Sequence, residues 1–379
     1  MKKKLLRVTT ADISLDGLLE GQLWFLNRHY EVVGVAADTG VLGQVGRREG
    51  IRVVDVPMHR EISLFADLRC LWLLIALFRR ERPHIVHANT PKGSLLAMVA
   101  AWLTRTPHRI YTVTGLRYQG TGGALRLVLK TMERITCLCA NKVVPEGNGV
   151  KRALVADRIT GKPLAVVHFG NINGRDTSRF SPDALDISRE EVRKGLGFAA
   201  DDFVFVFIGR IVRDKGMDEL AAVMRRLAGE RPNAKLLLVG SFETELDPLD
   251  DGNEDFFRSS GNVVYAGVQK DVRPYLLASD ALVFPSYREG FPNVPIEAGA
   301  MGLPSIVTDI NGCNEIIVDG ENGKIIPPRD KEALHRMMLW FADNRSEVRR
   351  MAANARLMVQ ERYEQKDVWA ALLDMYEAL

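Results

Sequence analysis

The sequence predicts an α/β protein with two doubly wound parallel-sheet domains. Short apolar runs alternate with helical stretches along the whole chain, and this alternation is typical of parallel strands joined by helices. The chain has 379 residues, which is long for one domain and comfortable for two. Hydrophobic residues make up 46% and charged residues 26%, which is ordinary for a soluble globular protein.

The first domain is predicted over residues 1–172. Its helices lie between the strands, and Leu18–Arg28 is one of them. The polar stretch Gly170–Asp183 is dense in turn-forming residues and is the predicted connection to the second domain. The predicted strands are Leu5–Thr9, Val32–Ala36, Ile85–His87, Ile110–Val113, Val143–Val144 and Ala165–His168.

The second domain is predicted over residues 173–360 and repeats the same alternation. An amphipathic helix is expected at about Met217–Leu227. Residues 361–379 form a separate predicted helix whose aromatic anchors are Tyr363, Trp369 and Tyr376. The predicted strands are Phe203–Ile208, Lys235–Val239, Val263–Tyr265, Ala281–Phe284 and Ser305–Val307.

The net charge of +3 conceals a strong asymmetry between the two halves. Residues 1–170 hold 25 Lys and Arg against 13 Asp and Glu, or +12, whereas the remainder holds 26 against 35, or −9. A basic half suggests an anionic partner, either nucleic acid or a membrane surface, where each basic residue adds about 1 kcal/mol of attraction. We favour the membrane and expect no nucleic acid, because the charge is interleaved with apolar helices.

Two segments of the basic half bear on this expectation. Leu64–Arg82 is apolar and then basic, but its longest uncharged run, Cys70–Phe78, is far below the ~20 residues that span a bilayer. We therefore interpret it as a helix packed on a sheet. In Arg117–Arg134 a Gly-rich turn leads into a basic amphipathic helix, which suits either an interfacial helix or a substrate-binding loop. An ordinary solvated helix face is the alternative.

The cysteines and the N-terminus indicate a reducing, cytoplasmic compartment. Four cysteines occur, and their spacing matches neither a zinc site nor a disulfide framework. The apolar run Leu5–Val8 is too short for a signal peptide and contains Arg7.

The most informative segment is Arg288–Glu297, in which Glu289 and Glu297 are separated by seven residues. Because prolines are tolerated only in the first turn of a helix, Glu289 is expected in a loop and Glu297 in the first turn of a helix starting near Val294. Free amides at such a helix start bind phosphate, and the flanking carboxylates suit hydroxyl groups. A nucleotide sugar meets both requirements, although capping alone also favours glutamate there.

A second anion signal lies eighty residues upstream. The buried strand Phe203–Ile208 ends at Gly209, and Arg210 and Lys215 follow it. Cations at the carboxyl end of a parallel strand are well placed for an anion, because arginine can fork onto a diphosphate and lysine adds a point charge. Arg213 is more simply a solvated surface residue.

These motifs together resemble the retaining glycosyltransferases of family 4, which have the GT-B fold of two Rossmann-like domains facing a central cleft. The resemblance is carried by F-I-G-R-I-V-R-D-K-G, by V-F-P-S-Y-R-E-G-F-P-N-V-P-I-E-A-G-A-M-G-L-P and by N-E-I-I-V-D-G-E-N-G. The order and spacing match over roughly Phe203–Arg329, and a weaker match covers the whole chain. The resemblance implies that the second domain binds the nucleotide sugar and the first binds the acceptor.

The resemblance also implies roles for single residues. Glu297 would hold the ribose, Glu289 the sugar hydroxyls near the anomeric carbon, and Arg210 and Lys215 the diphosphate. No cofactor and no metal are expected, because the cations already neutralise the leaving group. The predicted donor-contacting backbone comprises Gly209, Gly290, Phe291, Pro292, Asn293 and Val294.

In the first domain, the segment P-H-I-V-H-A-N-T-P-K resembles the family's strand-end motif and places His87, Asn89 and Lys92 near the substrates. His87 is a catalytic candidate, although a histidine at a strand end is as often structural. Thr114 stands where many members carry histidine, and Thr9–Gly17 lacks the paired glycines that many members have after the first strand. Both departures leave catalytic roles in this domain open.

The resemblance therefore implies a metal-independent, retaining glycosyltransferase. We expect a UDP-sugar donor and a polyprenyl-diphosphate-linked saccharide acceptor. The basic first half suggests a peripheral enzyme on the inner face of the cytoplasmic membrane that assembles a surface polysaccharide such as a capsule. Two alternatives share the motifs: a sugar-nucleotide 2-epimerase and a non-catalytic nucleotide-sugar-binding protein.

Overall fold

Two compact units make up the chain in a computed structural model that describes residues 2–59, 63–243, 245 and 247–379. Unit 1 comprises Met1–Gly174 and Lys366–Leu379, and unit 2 comprises Arg175–Gln365. The sequence places these boundaries after residues 172 and 360, close to the observed ones.

Unit 1 is a six-stranded parallel sheet with helices on both faces. Its strands are β1 (Lys4–Ala11), β2 (Glu31–Ala37), β3 (Arg52–Asp55), β4 (Ile85–Ala88), β5 (His108–Val113) and β6 (Lys142–Pro145). They lie in the order β3-β2-β1-β4-β5-β6. The helices are α1 (Asp12–Leu18), α2 (Gln22–Asn27), α3 (Leu42–Glu49), α4 (Leu64–Glu81), α5 (Pro91–Leu103), α6 (Gly123–Cys139) and α7 (Asn148–Ala156).

Unit 2 repeats the architecture in the order β12-β11-β10-β7-β8-β9. Its strands are β7 (Phe203–Ile208), β8 (Ala234–Val239), β9 (Val263–Tyr265), β10 (Ala281–Phe284), β11 (Ser305–Thr308) and β12 (Gly323–Ile326). Its helices are α8 (Arg189–Gly195), α9 (Met217–Glu230), α10 (Asn253–Ser259), α11 (Arg273–Ala278), α12 (Asn293–Ala300), α13 (Cys313–Ile316), α14 (Lys331–Asp343) and α15 (Arg345–Tyr363). The final helix, α16 (Gln365–Glu377), lies almost entirely in unit 1.

The sheet cores explain which strands the sequence predicts. Every residue of β7 and of β10 is buried, so each strand is visible as a continuous apolar run. The edge strands β3 and β12 are only partly buried and carry polar residues, and the sequence analysis misses both. Predicted strand Ala165–His168 is wrong, because the chain there forms turns and only Leu164 makes an isolated bridge with Val143.

Two helix predictions also need correction. The stretch predicted as one helix over Leu18–Arg28 contains the end of α1 and the whole of α2, which are separated by Gly21 with a φ of 77°. The tail predicted as one helix from residue 361 is broken at Glu364, where extended backbone separates α15 from α16. That break gives a backbone bridge between Glu364 and Arg175.

Candidate functional site

The switch point of unit 2 brings the two anion motifs together. Strand β7 is followed by a helix that leads to β8 on one side, and its other neighbour is β10. In doubly wound sheets, ligands bind outside the carboxyl ends of the strands at this point. Gly209 and Arg210 leave β7 there, and the segment from Pro285 to Glu289 leaves β10. Because β7 and β10 are neighbours in the sheet, the two motifs lie at the same sheet edge although about eighty residues separate them in sequence.

Lys215 and Glu289 form an ion pair at this edge. The Lys215 ammonium donates to Glu289 Oε1, and both side chains are mostly buried. Ser286 Oγ donates to the same carboxylate oxygen at 2.9 Å. The charged pair lies beside Cys313, whose thiol pKa is raised by burial and further by the Glu289 carboxylate. Lys215 and Glu289 belong to two separate sequence motifs, whereas Ser286 and Cys313 belong to no charged motif and are not predicted as site residues.

A glycine fixes the approach of the lysine loop to β10. Gly216 follows Lys215 with a φ of 72°, and a Cβ there would lie 2.2 Å from the carbonyl oxygen of Pro285. Only glycine combines this left-handed conformation with so close a backbone contact. The Lys215 loop is thereby held against the loop that carries Glu289.

Arg210 occupies the outer part of the same edge. Its Nη1 donates to Glu243 Oε2 at 2.9 Å, and about half of its side chain is exposed. The turns after β7 and β8 are in direct contact at this point. A Cβ on Gly240 would lie only 1.8 Å from the carbonyl oxygen of Gly209. Arg210 is therefore a solvent-accessible cation on a tightly packed turn, and a diphosphate can reach it.

Helix α12 presents its start to this edge. Pro292 is its N-cap residue and gives no side-chain cap, so the first amides are suited to an anion. Phe291 is buried and its ring packs edge-on against Tyr363 at 5.7 Å. The predicted contacts of Gly290, Phe291 and Pro292 with a donor would accordingly be made by their backbone, as would those of Asn293 and Val294 at the helix start.

Glu297 lies deeper in α12 than predicted. The helix begins at Asn293, so Glu297 is in the second turn and the first turn carries no acidic residue. Its Oε1 accepts a hydrogen bond from Arg175 Nε at 2.7 Å. Arg175 belongs to the connecting segment, 122 residues away in sequence, and no sequence motif marks it as a site residue. Only the folded structure shows that this carboxylate has a cationic neighbour.

Two of the predicted residues of unit 1, His87 and Asn89, belong to a buried network. His87 is only 1% exposed, and burial and the nearby Arg7 cation lower its pKa well below the usual value. Its Nδ1 lies 3.0 Å from Arg7 Nη1 and 2.5 Å from Tyr376 Oη, and its Nε2 lies 2.7 Å from Thr112 Oγ1. Asn89 is equally buried and accepts from Arg7 Nη2 at 2.8 Å. The catalytic role of His87 stays a prediction, and its geometry favours structural support of the strand end.

Lys92 and Thr114 lie closer to the surface. Lys92 Nζ pairs with Asp67 Oδ1 at 2.6 Å, and Thr114 Oγ1 donates to the carbonyl of Asn89 at 2.9 Å. Thr114 thus ties the end of β5 to the end of β4, which satisfies a buried carbonyl without a histidine.

A pocket of about 240 Å³ opens in unit 1 between α4, α5 and α6. Its walls are mainly apolar, and the cations Lys92 and Arg117 lie on them together with the acids Asp67 and Glu133.

Several large apolar side chains of the two flanking helices are exposed: Leu64, Phe65, Leu68 and Trp72 on α4, and Leu125, Leu127, Val128 and Leu138 on α6. Helix α4 does pack on the sheet, as predicted, but only by one side. Exposed apolar side chains in such numbers are typical of interaction surfaces.

Two negative findings apply to the described part of the chain. No group of three or more His, Cys, Asp or Glu side chains is arranged there to hold a metal ion. None of the helices found there is long and apolar enough to cross a bilayer. The four cysteines are buried and free.

Comparison with known proteins decides the family. Residues 188–358 match the family model "Glycosyl transferases group 1", and residues 24–170 match "Glycosyl transferase 4-like domain". The capsular polysaccharide biosynthesis glycosyltransferase CapM of Staphylococcus aureus is 32% identical over 99% of this chain and 97% of its own length. The chain belongs to glycosyltransferase family 4. The family predicted from the sequence motifs is thus confirmed, and transferase activity follows from it.

One further relative of this glycosyltransferase is named for a lipid-linked substrate, and two solved structures share its fold. A UDP-Gal:α-D-GlcNAc-diphosphoundecaprenol α-1,3-galactosyltransferase of Escherichia coli is 26% identical over 84% of the chain and 82% of its own length. The structure of Anabaena Alr3699/HepE in complex with UDP superposes with a TM-score of 0.81 at 18% identity, covering both chains completely. WaaG, a glycosyltransferase of lipopolysaccharide biosynthesis, gives 0.75 at 16% identity over 98% of this chain and 99% of its own. The predicted GT-B fold is confirmed.

Proposed function

We propose that this glycosyltransferase moves a sugar from a UDP-sugar, with retention of anomeric configuration and without a metal ion, to a polyprenyl-diphosphate-linked saccharide. The observation that carries the proposal is the switch point of unit 2. Lys215 and Glu289 are paired there, Arg210 follows the end of β7, and helix α12, which carries Glu297, begins after the end of β10. These groups suit a diphosphate beside hydroxyl groups. The chain's relatives in capsule synthesis support a product of the same class.

Charge development on the leaving group is the chemical problem that this edge can meet. When the glycosidic bond breaks, negative charge grows on the β-phosphate. Lys215, Arg210 and the first amides of α12 are fixed donors for that charge, and a donor of this kind contributes a rate factor of about 10²–10³. Because side chains and amides supply this stabilisation, we propose that no metal is required.

The carboxylates orient the donor in this proposal. Glu297 accepts hydrogen bonds from the ribose hydroxyl groups. Glu289 accepts hydrogen bonds from the hydroxyl groups of the transferred sugar and also holds Lys215 in place. The leaving phosphate itself takes the proton of the acceptor hydroxyl on the face from which it departs, so the new bond forms with retention. No protein base is needed, which agrees with the burial of His87.

The uridine base and the lipid-linked acceptor are supported by the relatives. The Escherichia coli relative takes a UDP-sugar donor and a diphosphoundecaprenol acceptor by its name, and HepE has been solved with UDP and with UDP-glucose. In this chain, the apolar pocket of unit 1 suits the first isoprene units, while Arg117 and Lys92 offer cations for the acceptor diphosphate. The exposed apolar and basic residues of α4 and α6 would contact the cytoplasmic face of the membrane.

A donor panel tests the proposal. Purified protein is incubated with UDP-, GDP-, ADP- and dTDP-sugars in EDTA, with and without a synthetic undecaprenyl-diphosphate saccharide in vesicles, and free nucleoside diphosphate is measured. We expect release from one UDP-sugar that depends on the acceptor and is lost in Lys215→Ala. Binding of donor without release would refute transfer and favour a binding protein, and conversion of the sugar nucleotide without acceptor would favour an epimerase. Dependence on added divalent metal would refute that part of the proposal.

A further inference from the structure

Arg175 is the first residue of unit 2 and the direct neighbour of Glu297. Its Nε donates to Glu297 Oε1 at 2.7 Å, and the two side chains are exposed by only 12% and 13%. A charge-assisted bond of this kind is among the stronger hydrogen bonds in proteins. An isolated glutamate has three rotatable side-chain bonds, so the bond removes much of the freedom of this carboxylate.

The backbone of Arg175 is itself held in place on both sides. Its N–H donates to the carbonyl of Tyr363 at 2.8 Å, and its own carbonyl accepts from Gln365 N at 3.0 Å. Two residues further on, Thr177 Oγ1 donates to Glu364 Oε2 at 2.5 Å. The segment around Arg175 is therefore bound to the extended link between α15 and α16.

Helix α12 is fixed to the same elements. The Arg356 guanidinium on α15 donates to the carbonyl of Ala300 at the end of α12, and also to the carbonyls of Thr177 at 3.2 Å and Phe180 at 3.0 Å. Gly299 faces α15 so closely that a Cβ there would lie 2.7 Å from Val359 Cγ2. Guanidinium and carboxylate are thus carried by elements that cannot move independently of each other.

We propose that Arg175 is a positioning residue for the donor, which presets the Glu297 carboxylate for the ribose hydroxyls. The inference rests on the proposed function, in which Glu297 binds the ribose. A carboxylate accepts about four hydrogen bonds, so the bond to Arg175 leaves acceptor capacity for the donor. Orienting the group before binding reduces the entropy lost on binding, and a carboxylate that turns freely would discriminate less between ribose and deoxyribose.

Isothermal titration calorimetry with UDP and with 2′-deoxy-UDP tests the role. The Kd for 2′-deoxy-UDP divided by the Kd for UDP reports contact with the 2′-hydroxyl. The wild-type protein should prefer UDP. Glu297→Ala, which has no side-chain acceptor, should remove the preference, and Arg175→Met, which keeps an unbranched side chain but no donor, should reduce the ratio by about tenfold. Arg231→Met is the matched control, because it removes an exposed arginine–carboxylate pair with Asp343 that does not involve Glu297, and it should leave the ratio unchanged.

Steady-state kinetics gives a second readout. Ribose contacts are equal in the ground state and the transition state, so Arg175→Met should raise the KM for the donor while kcat at saturating donor stays within about threefold. Arg175→Lys keeps the charge and serves as the second variant if the methionine variant does not fold. It should recover part of the lost ratio.

The outcomes separate the two proposals. An unchanged Kd ratio in Arg175→Met, whether or not both nucleotides bind more weakly, would overturn the role of Arg175 while Glu297→Ala still confirmed that of Glu297. A preference for UDP that survives in Glu297→Ala would refute the ribose role of Glu297 and with it this inference. Wild-type protein that binds neither nucleotide would refute the proposed UDP donor.

Discussion

Replacement of Glu133 by glutamine should stabilise the protein at alkaline pH. Glu133 lies on α6, is 8% exposed, and its Oε1 accepts a hydrogen bond from Tyr111 Oη at 2.7 Å. Burial raises the pKa of this carboxyl from 4.5 to about 7, and the bond from Tyr111 opposes the rise. Glutamine keeps the acceptor oxygen and removes the charge, so the substitution isolates the cost of burying that charge.

The magnitude follows from the shift in pKa. A folded-state pKa above the unfolded value means that the neutral form stabilises the fold below pH 4.5, and this contribution is lost as the pH rises through 7. At about 1.36 kcal/mol per unit, the shift corresponds to roughly 3 kcal/mol at pH 8. The free energy of unfolding of Glu133→Gln should therefore exceed that of the wild type by up to that amount at pH 8 and should match it near pH 4.5.

Urea denaturation at pH 4.5, 6, 7 and 8 measures this difference. Glu361→Gln, on the exposed surface of α15, is the matched control and should show a difference that does not change with pH. Tyr111→Phe removes the donor that favours the ionised form and should move the transition to higher pH. A difference for Glu133→Gln that is constant with pH, or a loss of stability at pH 8, would refute the reasoning.

Three other predictions concern the donor edge and the fold. Lys215→Ala should lower kcat about 10²–10³-fold in the donor assay, whereas Arg213→Ala, whose partners are Asp218 and Asp250, should retain activity within about threefold; equal losses would contradict the assignment. Gly240→Ala places a Cβ 1.8 Å from a carbonyl oxygen and should destabilise by more than about 4 kcal/mol in urea melts, whereas Gly229→Ala, with open space inside α9, should be neutral or stabilising. Burial opposes ionisation of Asp12, but bonds from Thr39 and Val41 outweigh it and lower its pKa from 3.8 to about 2, so its contribution of roughly 2 kcal/mol is present above pH 4 and is lost as the pH falls to 2. A wild-type-like acid profile in Asp12→Asn would contradict this last reasoning.

The sequence by itself determined the features that depend on neighbouring residues. A strand buried on both faces needs an unbroken apolar run, so β7 and β10 are visible with their observed bounds. Proline fixes where α12 can begin, which places the start within one residue of the prediction. The charged residues after β7 and β10 can also be recognised in the sequence, because each motif is complete within about a dozen residues.

Only the tertiary structure decided which of those residues meet. Parallel pairing of β7 with β10 brings Lys215 to Glu289, and the link after α15 brings Arg175 to Glu297, although no local pattern ties either pair. Burial is likewise a property of the packed fold. The periodicity of the sequence therefore predicts neither the burial of His87 nor the apolar pocket of unit 1. Local patterns record what each segment can form alone, whereas contacts between distant segments exist only after the chain has paid the entropy of closing the loops between them.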